Sequence, residues 1–116
     1  MSLRTPTQLS RGGTGLTAAY SAVTSGGDSF INDGRTVVAF KNTDAGAVTV
    51  TFAFGVTVDG QTVTGKTCVV AATTGSVITD VFPASYNDAE GTVNWTYSAA
   101  PAGLTVAILK FSKVGS

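Results

Sequence analysis

The sequence predicts an all-β fold: an antiparallel β-sandwich preceded by an extended N-terminal arm. Three observations carry this. From Phe30 onward, turn signals recur at roughly ten-residue intervals, the spacing of short strands in a sandwich or barrel. Thr, Val and Ala dominate, while Leu is confined to Leu3, Leu9, Leu16, Leu104 and Leu109. Residues branched at Cβ lose side-chain freedom in a helix and fit a pleated surface. Finally, no segment holds a 3.6-residue apolar period over ten residues, so almost no helix is expected.

Residues 1–29 form the arm, and residues 30–116 the sandwich domain. Within the arm, Arg11-Gly12-Gly13-Thr14-Gly15 and Ser25-Gly26-Gly27-Asp28 are turn-prone clusters. Between them, Leu16 to Val23 reads as a short strand or a loosely packed stretch, and the free arm is expected to be mobile. Asn32-Asp33-Gly34 marks a turn, because all three residue types tolerate positive φ. Thr36 to Lys41 is the next strand. Asn42 to Gly46 is a loop of hairpin size, so the stretch on either side reads as a strand pair. Val48, Val50, Phe52 and Phe54 alternate with polar or small residues and place one apolar row on one face. Gly55 suggests a bulge before Val56 and Val58, and Asp59-Gly60 turns the chain.

Thr67 to Ala72 reads as a fully buried strand and Ser76 to Phe82 as another, stopped by Pro83. Ala84 to Gly91 is a polar loop. Thr92 to Ser98 alternates, with Val93, Trp95 and Tyr97 on one face. Pro101-Ala102-Gly103 turns into a closing strand, Leu104 to Phe111. The strand lengths and the long crossing loop fit a two-sheet sandwich, and a jelly roll is one arrangement of this kind.

Composition narrows function. The chain has 116 residues, enough for one domain with a real core. Charged residues make up 12%, about half the usual share, and seven basic residues balance seven acidic ones. No basic patch is available for nucleic acid or anionic lipid, and no apolar run approaches the ~20 residues of a membrane helix. Met1 to Pro6 has no apolar signal core, so synthesis in a cytoplasm is expected.

The chain has no histidine. That removes the commonest general base and metal ligand, and with it Ser-His-Asp and Cys-His catalysis. Cys68 is the one cysteine, sits in an apolar run, and reads as a small buried hydrophobe rather than a reactive thiol. The Arg11–Gly15 cluster lacks the Gly-Lys-Ser/Thr ending of a phosphate loop. Asn87-Asp88-Ala89-Glu90-Gly91 has the oxygen ligands that Ca²⁺ takes, but its spacing completes no calcium loop, and a solvated turn accounts for it. No catalytic residue, cofactor site or metal site is expected. Trp95 and Tyr97 read as core, although an exposed pair would suit sugar stacking.

Two stretches carry a family resemblance: Phe30 to Asn42, FINDGRTVVAFKN, and Val81 to Val93, VFPASYNDAEGTV. In this order, within the span Phe30 to Phe111, they resemble small virion proteins of tailed bacteriophages, the capsid decoration (cement, or head-auxiliary) proteins. The resemblance implies a compact β-fold without enzymatic activity, located in the virion. Its partner would be the major capsid protein, and it would bind, often as a homotrimer, at three-fold or quasi-three-fold positions of the expanded head. Residues 1–29 lie outside the matching span. The arm residues Leu3, Arg4, Leu9, Arg11, Leu16 and Tyr20, together with Phe30, are the candidates for contact with the shell or a neighbouring subunit. The alternatives are another virion part (neck, tail tube or tail tip) and a carbohydrate-binding β-sandwich module.

Overall fold

The computed structural model describes residues 2–54, 57–59, 61–62, 65–99 and 103–111. In chain order the strands are β1 (Ser2–Leu3), β2 (Thr7–Gln8), β3 (Ser21–Ala22), β4 (Asp28–Ile31), β5 (Thr36–Asn42), β6 (Val48–Phe52), β7 (Thr57–Val58), β8 (Gln61–Thr62), β9 (Thr67–Val70), β10 (Gly75–Ile78), β11 (Thr92–Tyr97) and β12 (Leu104–Lys110). Helical structure among the described residues is one α-turn, α1 (Leu16–Ala19), and one 3₁₀ turn, Ala84–Tyr86.

The strands make two packed sheets. Sheet A has the order β1-β4-β11-β6-β9; sheet B has β10-β5-β12-β2, with β3 also pairing β12. The long pairings are antiparallel, and the two-residue strands β1 and β2 join in parallel. β7 and β8 form a separate small hairpin turning at Asp59, whose φ is +50°. Gly55, Val56, Gly60, Pro101 and Ala102, which the sequence suggested as bulge and turn residues, lie outside the described residues.

The alternation read from Val48 to Phe54 is realised as far as Phe52, where β6 ends: Val48, Val50 and Phe52 are buried, while Thr49 and Thr51 face outward. The inner faces of the sheets meet over an aromatic cluster. The Trp95 ring lies 5.8 Å from Phe30, 5.6 Å from Phe52 and 6.3 Å, edge-on, from Phe40. Such pairs add about 0.5–1.5 kcal/mol each beyond the burial of their area. Leu104, Val106 and Ile108 of β12 close the core from sheet B.

Several local expectations are corrected. β5 and β6 do not pair with each other. β5 pairs with β12 and β10, while β6 pairs with β11 and β9, so the Asn42–Gly46 loop crosses between sheets. Period-two patterning states which residues share a face but not which strand lies alongside. Buried Asn42 shapes the crossing: its Nδ2 donates to Gly46 O at 2.8 Å, and its Oδ1 accepts from Asp44 N at 3.0 Å.

The expected fully buried strand at Thr67 is one-sided, because β9 is the edge of sheet A; Val69 is 60% exposed and only Val70 is fully buried. β10 ends at Ile78, well short of Phe82. Beyond it Thr79 continues contact with β5 by one backbone and one side-chain bond, the Val38 N–H going to Thr79 Oγ1 at 3.0 Å.

The N-terminal segment runs along the body. Its β1 extends sheet A, its β2 and β3 extend sheet B, and the division expected at residues 29/30 falls inside β4. Leu9, Ala19 and Tyr20 pack over Val37, Ala39, Ala107 and Leu109 on the outer face of sheet B. This explains why β5 and β12 read as near-continuous apolar runs: both faces of these strands are covered, and such strands lose alternation.

Phe40→Ala should cost about 3–5 kcal/mol of stability, because it removes a fully buried ring from the centre of this cluster. Urea unfolding followed by Trp95 emission checks this. The folded wild type should emit at short wavelength and resist acrylamide quenching, since Trp95 is fully buried.

Candidate functional site

Asp28 is the first residue of β4, fully buried, and its carboxylate collects three segments of chain. Arg4 Nε stands 2.8 Å from Oδ1, a charge contact lying off the hydrogen-bond line. Tyr97 OH donates to Oδ2 at 2.5 Å, and Thr24 N donates to the same oxygen at 3.1 Å. Trp95 Nε1 in turn donates to Tyr97 OH at 2.9 Å. The rest of the Arg4 guanidinium reaches Ser21 Oγ at 2.6 Å and the Ala22 carbonyl.

Burial by itself pushes the Asp28 carboxyl upward. The hydrogen bonds from Tyr97 and Thr24, with the Arg4 guanidinium beside Oδ1, outweigh it and hold the group below the ordinary carboxylate range. Burial, then the neighbouring Asp28 carboxylate, drives the Tyr97 phenol strongly upward, so it remains a neutral donor. The aromatic pair is thus committed to the interior: Trp95 is buried, and the polar ends of both side chains are used within the fold.

Other acids organise turns. Asp33 Oδ1 accepts from Arg35 N at 2.8 Å and from Thr36 Oγ1 at 2.8 Å, and Lys110 Nζ lies 3.1 Å from Oδ2. Asp88 Oδ1 accepts from Glu90 N at 2.9 Å and Thr92 N at 3.0 Å, while Asn94 Nδ2 donates to Oδ2 at 2.9 Å. These bonds, with Asn94 first among them, lower the Asp88 carboxyl. They are the turn-forming bonds that account for the 87–91 cluster. Among the described residues, no three side chains of metal-ligating type stand together. Cys68 is partly buried rather than sealed in the core, and burial raises its thiol, which keeps it protonated at neutral pH.

The two stretches that carry the resemblance come together in space. Asn32 N donates to Gly91 O at 2.9 Å, and Asn32 Nδ2 donates to Phe82 O at 3.0 Å and to Asn87 Oδ1 at 2.7 Å. Gly34, at φ +79°, closes the Asn32 turn, its N–H going to Asn32 Oδ1 at 3.0 Å. A shallow cleft of about 520 Å³ lies between this turn and Val81–Asn87.

The expected contact residues divide sharply. Leu3, Arg11 and Leu16 are exposed. Arg4 is engaged with Asp28, and Leu9 packs on sheet B. Tyr20 is half-buried, with Lys41 Nζ 5.1 Å from its ring centre. Phe30 is a correction: it is fully buried against Phe82 and Trp95, so it presents no surface to a partner. It lies next to turn residues in sequence, but β4 is an inner strand of sheet A and the alternation turns Phe30 inward.

A broader surface was not anticipated. Cross-strand register places Thr49, Thr51, Thr67, Thr92 and Thr96 on the outer face of sheet A, together with Ser29 and Asn94. Leu3, Ile31 and Val69 complete it, and Leu3 and Ile31 are 62% and 59% exposed. Among the described residues, none of the strand positions on this face carries a charge. Its sequence signal was the polar residue at every second position, Thr49 and Thr51 in one strand and Thr92, Asn94 and Thr96 in another, which only the pairing register gathers into one surface.

Asp28→Asn should lower stability by about 3–5 kcal/mol near neutral pH, because it leaves the partly buried Arg4 without its counter-charge. The folded-state carboxyl lies below its unfolded value. Its contribution is therefore complete above pH ~4 and is lost as pH falls through the folded value. Urea unfolding repeated from pH ~7 to ~2 should give a shallower acid slope for Asp28→Asn than for wild type; equal slopes would exclude the assignment. No protein-family model, curated protein or solved structure matches the chain.

Proposed function

We propose that the chain is a non-enzymatic structural protein of a tailed-phage virion, a capsid decoration protein that docks on the major capsid protein as a homotrimer. The observation that carries this reading is the outer face of sheet A. It spans five strands, is rich in threonine, and has no charge at the described strand positions. A shell-binding protein needs such area rather than chemistry, and weak contacts repeated over many equivalent sites sum through multivalency. Backbone ladders hold the face rigid, so little side-chain entropy is lost when it is covered. Meanwhile the described acids with resolved shifts, Asp28, Asp33 and Asp88, are engaged in holding strands and turns.

The resemblance borne by Phe30–Asn42 and Val81–Val93 supports the same reading, since these stretches hydrogen-bond to each other through Asn32. A carbohydrate-binding role is disfavoured by a specific observation: Trp95 is fully buried, and Tyr97 OH is bonded to Asp28.

Light scattering on a sizing column should give the mass of a trimer. A ring of six or more would favour a neck or tail component instead. The variant Thr96→Lys places a charge on the central strand of the face. It should co-sediment at least about tenfold less with expanded heads of the encoding phage, while its thermal unfolding stays close to wild type, as expected for surface positions. Undiminished co-sedimentation would remove the face from the interface.

A further inference from the structure

The N-terminal segment differs in kind from the rest of the fold. Its ladders are two residues long, whereas β5 and β12 pair over seven positions. α1 buries no residue, and Arg11, Gly12 and Gly13 are exposed. Yet the surface beneath is apolar: Val37, Ala39, Ala107 and Leu109 are all buried under Leu9, Ala19 and Tyr20. Where the segment joins the body, Gly26 and Gly27 hold φ of +91° and +120°. Glycine adopts these values at no steric cost, so the joint can re-form other conformations freely. The short β1–β4 ladder, the Arg4 N–H to Ser29 O bond and the Arg4–Asp28 charge contact fasten the far end to sheet A, and the same guanidinium holds Ser21 and Ala22.

We propose that residues 2–23 form a strap that opens as one unit ahead of global unfolding, turning at Gly26–Gly27, with the Arg4–Asp28 pair as its latch and the apolar outer face of sheet B as the surface it uncovers. The physical reasoning is a comparison of two openings. Releasing the strap breaks short ladders, frees a long stretch of chain and returns Asp28 to water, where it needs no counter-charge. Opening the body would break the β5–β12 ladder and the aromatic core as well. Segments with few buried contacts open at lower free energy than the core. The geometry alone supports this, and it holds whether or not the virion reading does.

Native-state hydrogen exchange on the full chain tests it. The Arg4, Leu9 and Val23 amides report the strap, being bonded to Ser29, Lys110 and Leu104 carbonyls. The amides paired between β5 and β12 report the body. Val70→Ala weakens the core on β9, at the opposite edge of sheet A from β1. It should speed body amides by about tenfold or more and leave the three strap amides unchanged. Arg4→Gln should speed the three strap amides together by about tenfold or more. Leu9→Ala, which leaves the latch intact, should move the same three in step. The proposal is overturned if Val70→Ala accelerates strap and body alike, or if Arg4→Gln alters the Arg4 amide without moving Leu9 and Val23.

Discussion

A carboxylate with no access to water holds the fold's separate pieces in one arrangement. Asp28 begins β4, so its backbone belongs to sheet A, while its side chain takes hydrogen bonds from β11 and from the turn before β4 and a charge contact from Arg4. A buried anion is costly unless it is paired and hydrogen-bonded. Here Tyr97, Thr24 and Arg4 answer that cost together, and Tyr97 is itself oriented by Trp95. The network therefore links the aromatic core to the course of the N-terminal segment. Arg4 cannot reach Asp28 unless β1 lies along β4, and once there its remaining donors hold β3 in place. A hydrophobic contact at this position would tolerate many orientations of the segment; the directional donors around Asp28 admit very few.

The two sheets present opposite exteriors. Sheet B is apolar on both sides and uses the chain's own N-terminal segment as an outer layer. The exterior of sheet A mixes threonines with exposed Leu3, Ile31 and Val69 and is uncharged at the described strand positions, while Ser29 and Thr92 on it are buried and Asn94 holds the Asp88 carboxylate. Threonine suits such a face, because its branched side chain stiffens the strand while its hydroxyl keeps the surface wetted. One edge of each sheet lies side by side in sequence: β9 ends sheet A opposite β1, β10 ends sheet B opposite β2, and Val69 and Ile78 are exposed there. The short length of both edge strands limits the template they offer to another chain.

The fold class was legible because it rests on local rules. Alternation from Val48 to Phe52 and from Val93 to Tyr97 stated which residues turn inward. Asn32-Asp33-Gly34 marked a turn because its side chains and positive φ make one wherever it is placed. The burial of Trp95 was legible for the same reason. Reading Phe30 as a surface residue failed because nearness to a turn in sequence says nothing about which way an inner strand's alternation points. The hairpin expected between β5 and β6 failed because a loop of hairpin length also serves to cross between sheets.

By itself the sequence determined the all-β character, the inward and outward faces of Val48–Phe52 and Thr92–Tyr97, and the lack of any histidine for chemistry. All of these follow from residue type and spacing along the chain. Strand partnership, the layering of the N-terminal segment over sheet B, the environment of Asp28 and the assembly of scattered threonines into one face were decided only by tertiary structure. Each depends on residues far apart in the chain: Arg4 with Asp28 and Tyr97, Leu9 with Leu109, Thr51 with Thr96. Such pairings arise when the whole chain minimises exposed apolar surface and unpaired polar groups together, and local pattern carries no record of that choice.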